Sequence, residues 1–252
     1  MPKHQKASDN LRREKLVLDL IQDKVALKIP KIEYISNLDN DFLATGYRVI
    51  EGRSLAPKEF NELIYRQRDN IAKQIAGFLK ELHSIEVNNA ELIIDKMEEL
   101  KEMYEKFISK YSDLFELSQV GKIKDFFERI INDKSLHKYK LTLVHNDFSA
   151  SNLLFNCDTK EVCGVIDFGD VAISDRDNDF IFLLEDSEEE YGREFGKKVL
   201  EYYGQSSKEI DLAIRKAEIN DELWPYEQIL LSEEYGDKEM FVEGLEYLRN
   251  KL

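Results

Sequence analysis

The chain is poor in several things at once: it has two cysteines, four prolines, one tryptophan and no glycine before Gly46 in 252 residues. Two cysteines cannot build a disulfide framework. Cys157 and Cys163 could face each other across a hairpin, but isolated thiols in a reducing compartment are the expectation. Four histidines, none at zinc-type spacing from a cysteine or another histidine, argue against a structural zinc site. No apolar stretch approaches the roughly 20 residues that cross a bilayer. The opening "MPKHQKASDN" has no apolar centre for a signal peptide, so a cytoplasmic location is expected. Positive charge is the minority sign, with 36 basic against 51 acidic residues and a formal net charge of −15. That field repels phosphate backbones and anionic lipid, so nucleic acid and membrane surfaces are poor partners. It draws in cationic small molecules, although the same surplus of acid also serves solubility.

No proline occurs between Pro57 and Pro225, which leaves room for long helices. Ser8 is placed to cap a helix through "DNLRREKLVLDLIQDKV". "KIEYIS" and "FLATGYRVIEG" read as two strands, the second ending at Gly52. In "NIAKQIAGFLKELHS", Ile71, Ala72, Ile75, Phe78, Leu79 and Leu82 fall at helical spacing and predict one buried face. Two further charged amphipathic helices are expected between Ala90 and about Lys134. "LTLVH", "NLLFN" and "VCGVIDF" are short β-rich runs, the last two joined by a polar turn. After residue 190 the chain returns to helix and ends with Phe241, Leu245 and Leu248 on one stripe. The whole reads as a helix-rich α+β protein whose polar loops gather around a small group of strands.

Two of those strands end on acids. "HNDFSASN" places Asp147 and Asn152 five residues apart, and "VCGVIDFGD" adds Asp167 twenty residues on. An unpaired buried carboxylate costs several kcal/mol, so the repeated placement calls for a cation, a proton-transfer task or exposure in a loop. Phosphoryl transfer from a nucleotide needs these groups. One carboxylate orients the attacking hydroxyl and accepts its proton, while an amide oxygen and a second carboxylate hold Mg²⁺ against the phosphates. Each motif alone is weak. In this order, with a hairpin between them, they outweigh the alternative of turn formers plus a surface acid.

"LVHNDFSASNLLFN…GVIDFGDVAISDRDNDF" resembles the catalytic core of aminoglycoside phosphotransferases, in particular the 2″-phosphotransferase group, and the resemblance extends over nearly the whole chain. It implies a two-lobed fold like that of protein kinases. Residues 1–51 would be the remnant of the nucleotide-binding lobe and residues 52–252 the helical and catalytic lobe. It implies Asp147 as catalytic base, Asn152 and Asp167 as Mg²⁺ ligands, and GTP or ATP as phosphate donor. "TGYRVIEG" matches the hinge that holds the purine, through the Arg48 carbonyl and the Ile50 amide. Glu14 matches a helix glutamate that pairs with a lysine in the nucleotide lobe. "SDRDNDF" departs from the family pattern by placing Arg176 where a proline is usual.

An aminoglycoside carries several ammonium groups, so acids should line its site. "EDSEEEYGRE" supplies Glu185, Asp186, Glu188, Glu189, Glu190 and Glu194. Glu190 and Glu194, four apart, are expected on one helical face, where their repulsion is relieved by a bound cation. Trp224 matches a family position near the drug, its alternative being a core residue. Asp170 could serve either side of the site or cap the next segment. Roughly the first 40 residues that the resemblance leads one to expect, with a Gly-rich loop and a strand lysine, have no counterpart here. Lys3 lies near the lysine's place but displaced from it, which predicts impaired transfer for the chain as written. The competing expectations are a kinase for choline, homoserine or another small metabolite, and a non-catalytic binder that keeps the acidic cleft. A monomer is expected.

Overall fold

The computed structural model describes residues 5–37 and 43–252. Its contacts divide the chain into two compact units, one formed by the chain up to Ile93 with Lys140–Ile214, the other by Ile94–Tyr139 with Arg215–Leu252. The expected lobe boundary after residue 51 falls inside the first unit.

In the first unit, helix α1 (Gln5–Ile21) buries Val17, Leu18 and Ile21. That range places Ser8 within the helix and not, as expected, ahead of it. Lys3 lies outside the described residues. Strands β1 (Ile32–Asn37) and β2 (Leu43–Tyr47) form an antiparallel pair. β2 stops at Tyr47, short of the expected Gly52, because residues 48–52 leave the ladder to pack on a different sheet. At Gly52 φ is +149°, and a Cβ there would lie 2.6 Å from Cys163 Sγ. β3 (Arg53–Ser54) then pairs with β5 (Leu153–Asn156), which pairs with β6 (Glu161–Val165). β5 and β6 are the predicted hairpin, with Asn156 Oδ1 accepting from the amides of Asp158 and Thr159 in its turn. Both cysteines are free thiols.

Beyond the short helix α2 (Pro57–Glu62), the long α3 (Tyr65–Ser84) buries the six side chains named from periodicity, together with Ala76. β4 (Leu141–Val144) pairs with β7 (Ala172–Asp175), a strand that the sequence reading did not separate from the loop. α6 (Arg193–Tyr203) follows and ends at Gly204, whose φ of +90° suits a residue without Cβ.

The second unit contains the two amphipathic helices expected between residues 90 and 134, α4 (Lys96–Tyr111) and α5 (Leu117–Ile131). Asp95 caps α4 by accepting from the amides of Met97 and Glu98. The unit's core is aromatic: Tyr226 packs edge-on against Phe107 at 4.9 Å and Phe127 at 5.0 Å. Tyr226 lies on α7 (Ser207–Tyr235), and α8 (Lys238–Lys251) closes the chain with Leu248 buried.

Candidate active site

β4 delivers its last residues into a loop whose geometry is held from two sides. His145 has no solvent exposure, and its Nε2 donates to the Ile166 carbonyl at 3.0 Å, tying this loop to the one after β6. His145 also packs edge-on to Phe148 at 5.7 Å and Phe168 at 4.6 Å. Asn146 adopts φ +68° and Asp167 φ +66°, left-handed values that cost a non-glycine residue energy and recur at functional sites. Both strained positions thus flank or carry the acids singled out from the sequence.

Asp147 and Asn152 meet. The Asn152 Nδ2 donates to the Asp147 backbone oxygen at 2.8 Å and to its carboxylate Oδ2 at 2.9 Å. The tight turn at Ala150–Asn152 makes this possible by returning the chain onto the start of β5. Burial pushes the Asp147 carboxyl up, opposed by the Asn152 hydrogen bond and by His145, and raised further by Asp170 and Asp167. The three aspartates therefore share one electrostatic neighbourhood. Glu14 joins it from α1: burial first, then Asp167, raises its carboxyl, while the Phe168 amide lowers it. Tyr47, at the end of β2, is raised by burial and by the same Glu14 and Asp167. Tyr47 lay inside the hinge stretch "TGYRVIEG" but was given no role of its own by the sequence reading.

The acceptor set suits a hard divalent cation. Asn152 Nδ2 is spent on Asp147, and Asp167 is exposed beside Gly169. The groups that shift Asp147 and Glu14 include neither lysine nor arginine. Among the described residues no three Asp, Glu, His or Cys side chains form a metal cage.

Glu190 is also drawn in, though not as foreseen. It lies in the bend before α6, so it shares no helical face with Glu194. Gly192, at φ +87°, separates the two by turning the chain into the helix. Glu190 is 7 % exposed, and both of its carboxylate oxygens accept from the Ala150 amide, at 3.2 and 3.1 Å. Burial, then Glu185, Asp147 and Glu189, push it up to about 8 against the pull of that amide. Glu194 is exposed and paired with Lys197 at 2.7 Å. Asp186 accepts from the Arg193 amide at 2.9 Å and so caps α6. Tyr191, stacked on Phe60 at 4.2 Å and donating to the Leu55 carbonyl, seats this acidic segment against β3 and α2.

The hinge residues named from the sequence are each held by contacts of their own. Arg48 is ion-paired with Glu33 at 2.9 Å. Ile50 reaches Gly164, where a Cβ would come within 3.0 Å of its Cγ2 and 2.9 Å of the Lys28 carbonyl. Cys163 Sγ donates to the Glu51 carbonyl at 3.1 Å, which fastens the segment to β6. Trp224 belongs to the second unit, half exposed on α7.

One residue of consequence was missed. Asp179 has no exposure, yet it accepts from the amides of His145 at 2.9 Å and Asn146 at 2.7 Å and pairs with His83 Nε2 at 2.9 Å. The available signal was an acid at the head of the apolar run "DFIFLL", where an unpartnered carboxylate would be costly.

Residues 1–215 match the phosphotransferase enzyme family, APH. The chain is 34 % identical to APH(2″)-IIa in its gentamicin complex, with a TM-score of 0.88 over 98 % of this chain and 82 % of that one. It is 33 % identical to ADP-bound APH(2″)-Ib, with a TM-score of 0.86 over 98 % and 83 % of the two chains. Against APH(2″)-IIIa with GDP and kanamycin the identity is 27 %, with a TM-score of 0.86 over 99 % and 84 %. The strand-end acids, the return of Asn152 onto Asp147 and the kinase-like α+β architecture thus have one common explanation: the chain belongs to the phosphotransferase enzyme family, in its aminoglycoside 2″-phosphotransferase branch.

Proposed function

We propose that this enzyme moves the γ-phosphate of GTP or ATP to a hydroxyl, the 2″, of an aminoglycoside, and so confers resistance to the drug. The observation that carries this reading is the Asp147 carboxylate, held at 2.9 Å by Asn152 and raised by burial and by Asp170 and Asp167. A carboxylate less acidic than usual is a better proton acceptor, and the amide clamp fixes its direction. The drug hydroxyl would donate to Asp147, its oxygen would bond to the γ-phosphorus, and its proton would pass to the carboxylate as the bond to the nucleoside diphosphate breaks. Asn152 and Asp167 would hold Mg²⁺. The ion, when bound, neutralises phosphate charge and keeps the acids compatible with an anionic donor.

The purine would lie along residues 48–52, against the Arg48 carbonyl and the Ile50 amide. Glu14 supports the Asp167 side of the cleft. Drug ammonium groups would meet Glu190 and Asp170, with Glu194 as an outer contact. Several acids around a cationic drug favour this substrate class over a singly charged amine. That the relatives' complexes hold gentamicin, kanamycin, ADP and GDP supports the same pairing of nucleotide and drug. No described helix is long and apolar enough to cross a membrane, and the reading places the enzyme in the cytoplasm as a monomer.

Steady-state assays with Mg²⁺ and either nucleotide against kanamycin, gentamicin and choline test it. Drug-dependent turnover with none on choline is the expected result. Turnover of choline with neither drug accepted would transfer the enzyme to the small-metabolite kinases.

A further inference from the structure

A line of hydrogen bonds joins α6 to the loop that carries Asp147. The Tyr203 hydroxyl lies 3.0 Å from His83 Nδ1, and His83 Nε2 lies 2.9 Å from Asp179 Oδ2. Asp179 then accepts the amides of His145 and Asn146, the two residues that precede Asp147. An ionised carboxylate can only accept, so Nε2 carries the proton in this pair. Nδ1, the other ring nitrogen, meets the Tyr203 hydroxyl. Burial pushes the Tyr203 phenol up, so the hydroxyl keeps its proton.

The backbone being held is under strain. Asn146 stands at φ +68°, and its side-chain oxygen is fixed by Asn178 Nδ2 at 2.9 Å. That peptide sets the direction in which Asp147 leaves β4. From the far side, the Arg176 guanidinium lies 5.6 Å over the Tyr203 ring and pairs with Glu209 at 2.9 Å. Arg176 thus gives Tyr203 a second fixed contact. The side chains of His83 and Asp179 are 3 % and 0 % exposed, so no water stands ready to replace a lost donor.

We propose that His83, held in place by Tyr203, is a positioning residue for phosphoryl transfer: it fixes Asp179, and through it the strained peptide that aims Asp147. This rests on the role given to Asp147 above. His83 touches neither substrate nor the reacting atoms.

Three variants test it: His83→Leu, His83→Gln and Tyr203→Phe. Two readouts are compared with the parent, namely steady-state kinetics with kanamycin and amide hydrogen exchange of residues 141–152. Loss of one buried donor to a carboxylate corresponds to a fall in kcat of about tenfold or more in His83→Leu. Both KM values should stay within about twofold, since a positioning group acts in the transition state. His83→Gln, which retains an N–H toward Asp179, should recover most of that loss. Tyr203→Phe keeps the ring and should fall between the two. Exchange of the His145 and Asn146 amides should rise in the same order, with α3 and α6 exchanging as in the parent.

Equal kcat in all three variants overturns the inference. So does a Gln variant no better than Leu, or accelerated exchange throughout the first unit. A parent without drug turnover would count against the proposed function, while the order of exchange rates would still decide the part played by His83.

Discussion

In the proposed reaction Asn152 would bear on two ends at once: its amide nitrogen holds Asp147, and its oxygen would take the cation. Asn152→Ala should therefore lower kcat by about 10- to 150-fold, the worth of one hydrogen bond to a charged group. The Mg²⁺ concentration for half-maximal rate should rise as well, as a magnesium titration will read. Glu190 supports a different prediction. Its folded value, about 8, lies above the ordinary 4.5 of a glutamate, so the folded enzyme binds an extra proton between those values. The unfolded chain has released it there, so the contribution of Glu190 to stability is greatest below pH 4.5 and falls as pH rises toward 8. The slope contributed is at most about 1.4 kcal/mol per pH unit. Urea denaturation from pH 5 to 8 should show that decline in the parent and a flatter curve in Glu190→Gln. A parent curve that rises across this range would contradict the assignment. A cationic substrate would draw Glu190 back to its ionised form.

At the scale of elements, the two glycines of α3 and α6 make opposite predictions. At Gly77 an added Cβ meets nothing within 4 Å, whereas at Gly196 it would lie 1.9 Å from the Leu183 carbonyl oxygen. Gly77→Ala should stabilise the fold by about 0.5–1 kcal/mol through helix propensity. Gly196→Ala should destabilise it by about 3 kcal/mol, because α6 must move off the turn at residues 182–184. Chemical denaturation midpoints of the two variants will separate them.

Much of this level was legible. The period of Ile71, Ala72, Ile75, Phe78, Leu79 and Leu82 is a local property of one helix, and short β-rich runs with a polar turn define a hairpin without reference to the rest of the chain. That Asp147, Asn152 and Asp167 come together was legible because strand ends joined by a hairpin bring their loops to one place. The failures share a cause. Glu190 and Glu194 have helical spacing, but Gly192 at φ +87° places the helix start between them, and spacing carries no sign of that turn. β2 ends at Tyr47 because the next residues pack on Cys163 and Gly164, more than 100 positions away. Asp179 is satisfied by His83 and two amides from remote segments, a convergence that no window of sequence contains.

For the molecule as a whole, the surplus of 15 negative charges sets how a cationic drug arrives. Exposed charges are screened beyond about 10 Å at 0.1 M salt, so raising salt from about 0.05 to 0.3 M should raise KM for kanamycin several-fold. kcat should change little, because Asp147, Asn152 and Glu190 are wholly or partly buried. An equal fall in kcat would place the salt effect in the chemical step. The central claim is that one half-buried aspartate accepts the proton of the drug hydroxyl as phosphate is transferred. Its most direct test is mass spectrometry of kanamycin incubated with Mg²⁺, GTP or ATP and either the parent or Asp147→Asn, with folding of the variant checked by circular dichroism. The account predicts phosphorylated kanamycin from the parent and, with a general base removed, a rate at least about 100-fold lower from the variant. A folded Asp147→Asn enzyme that phosphorylates the drug as fast as the parent would contradict it.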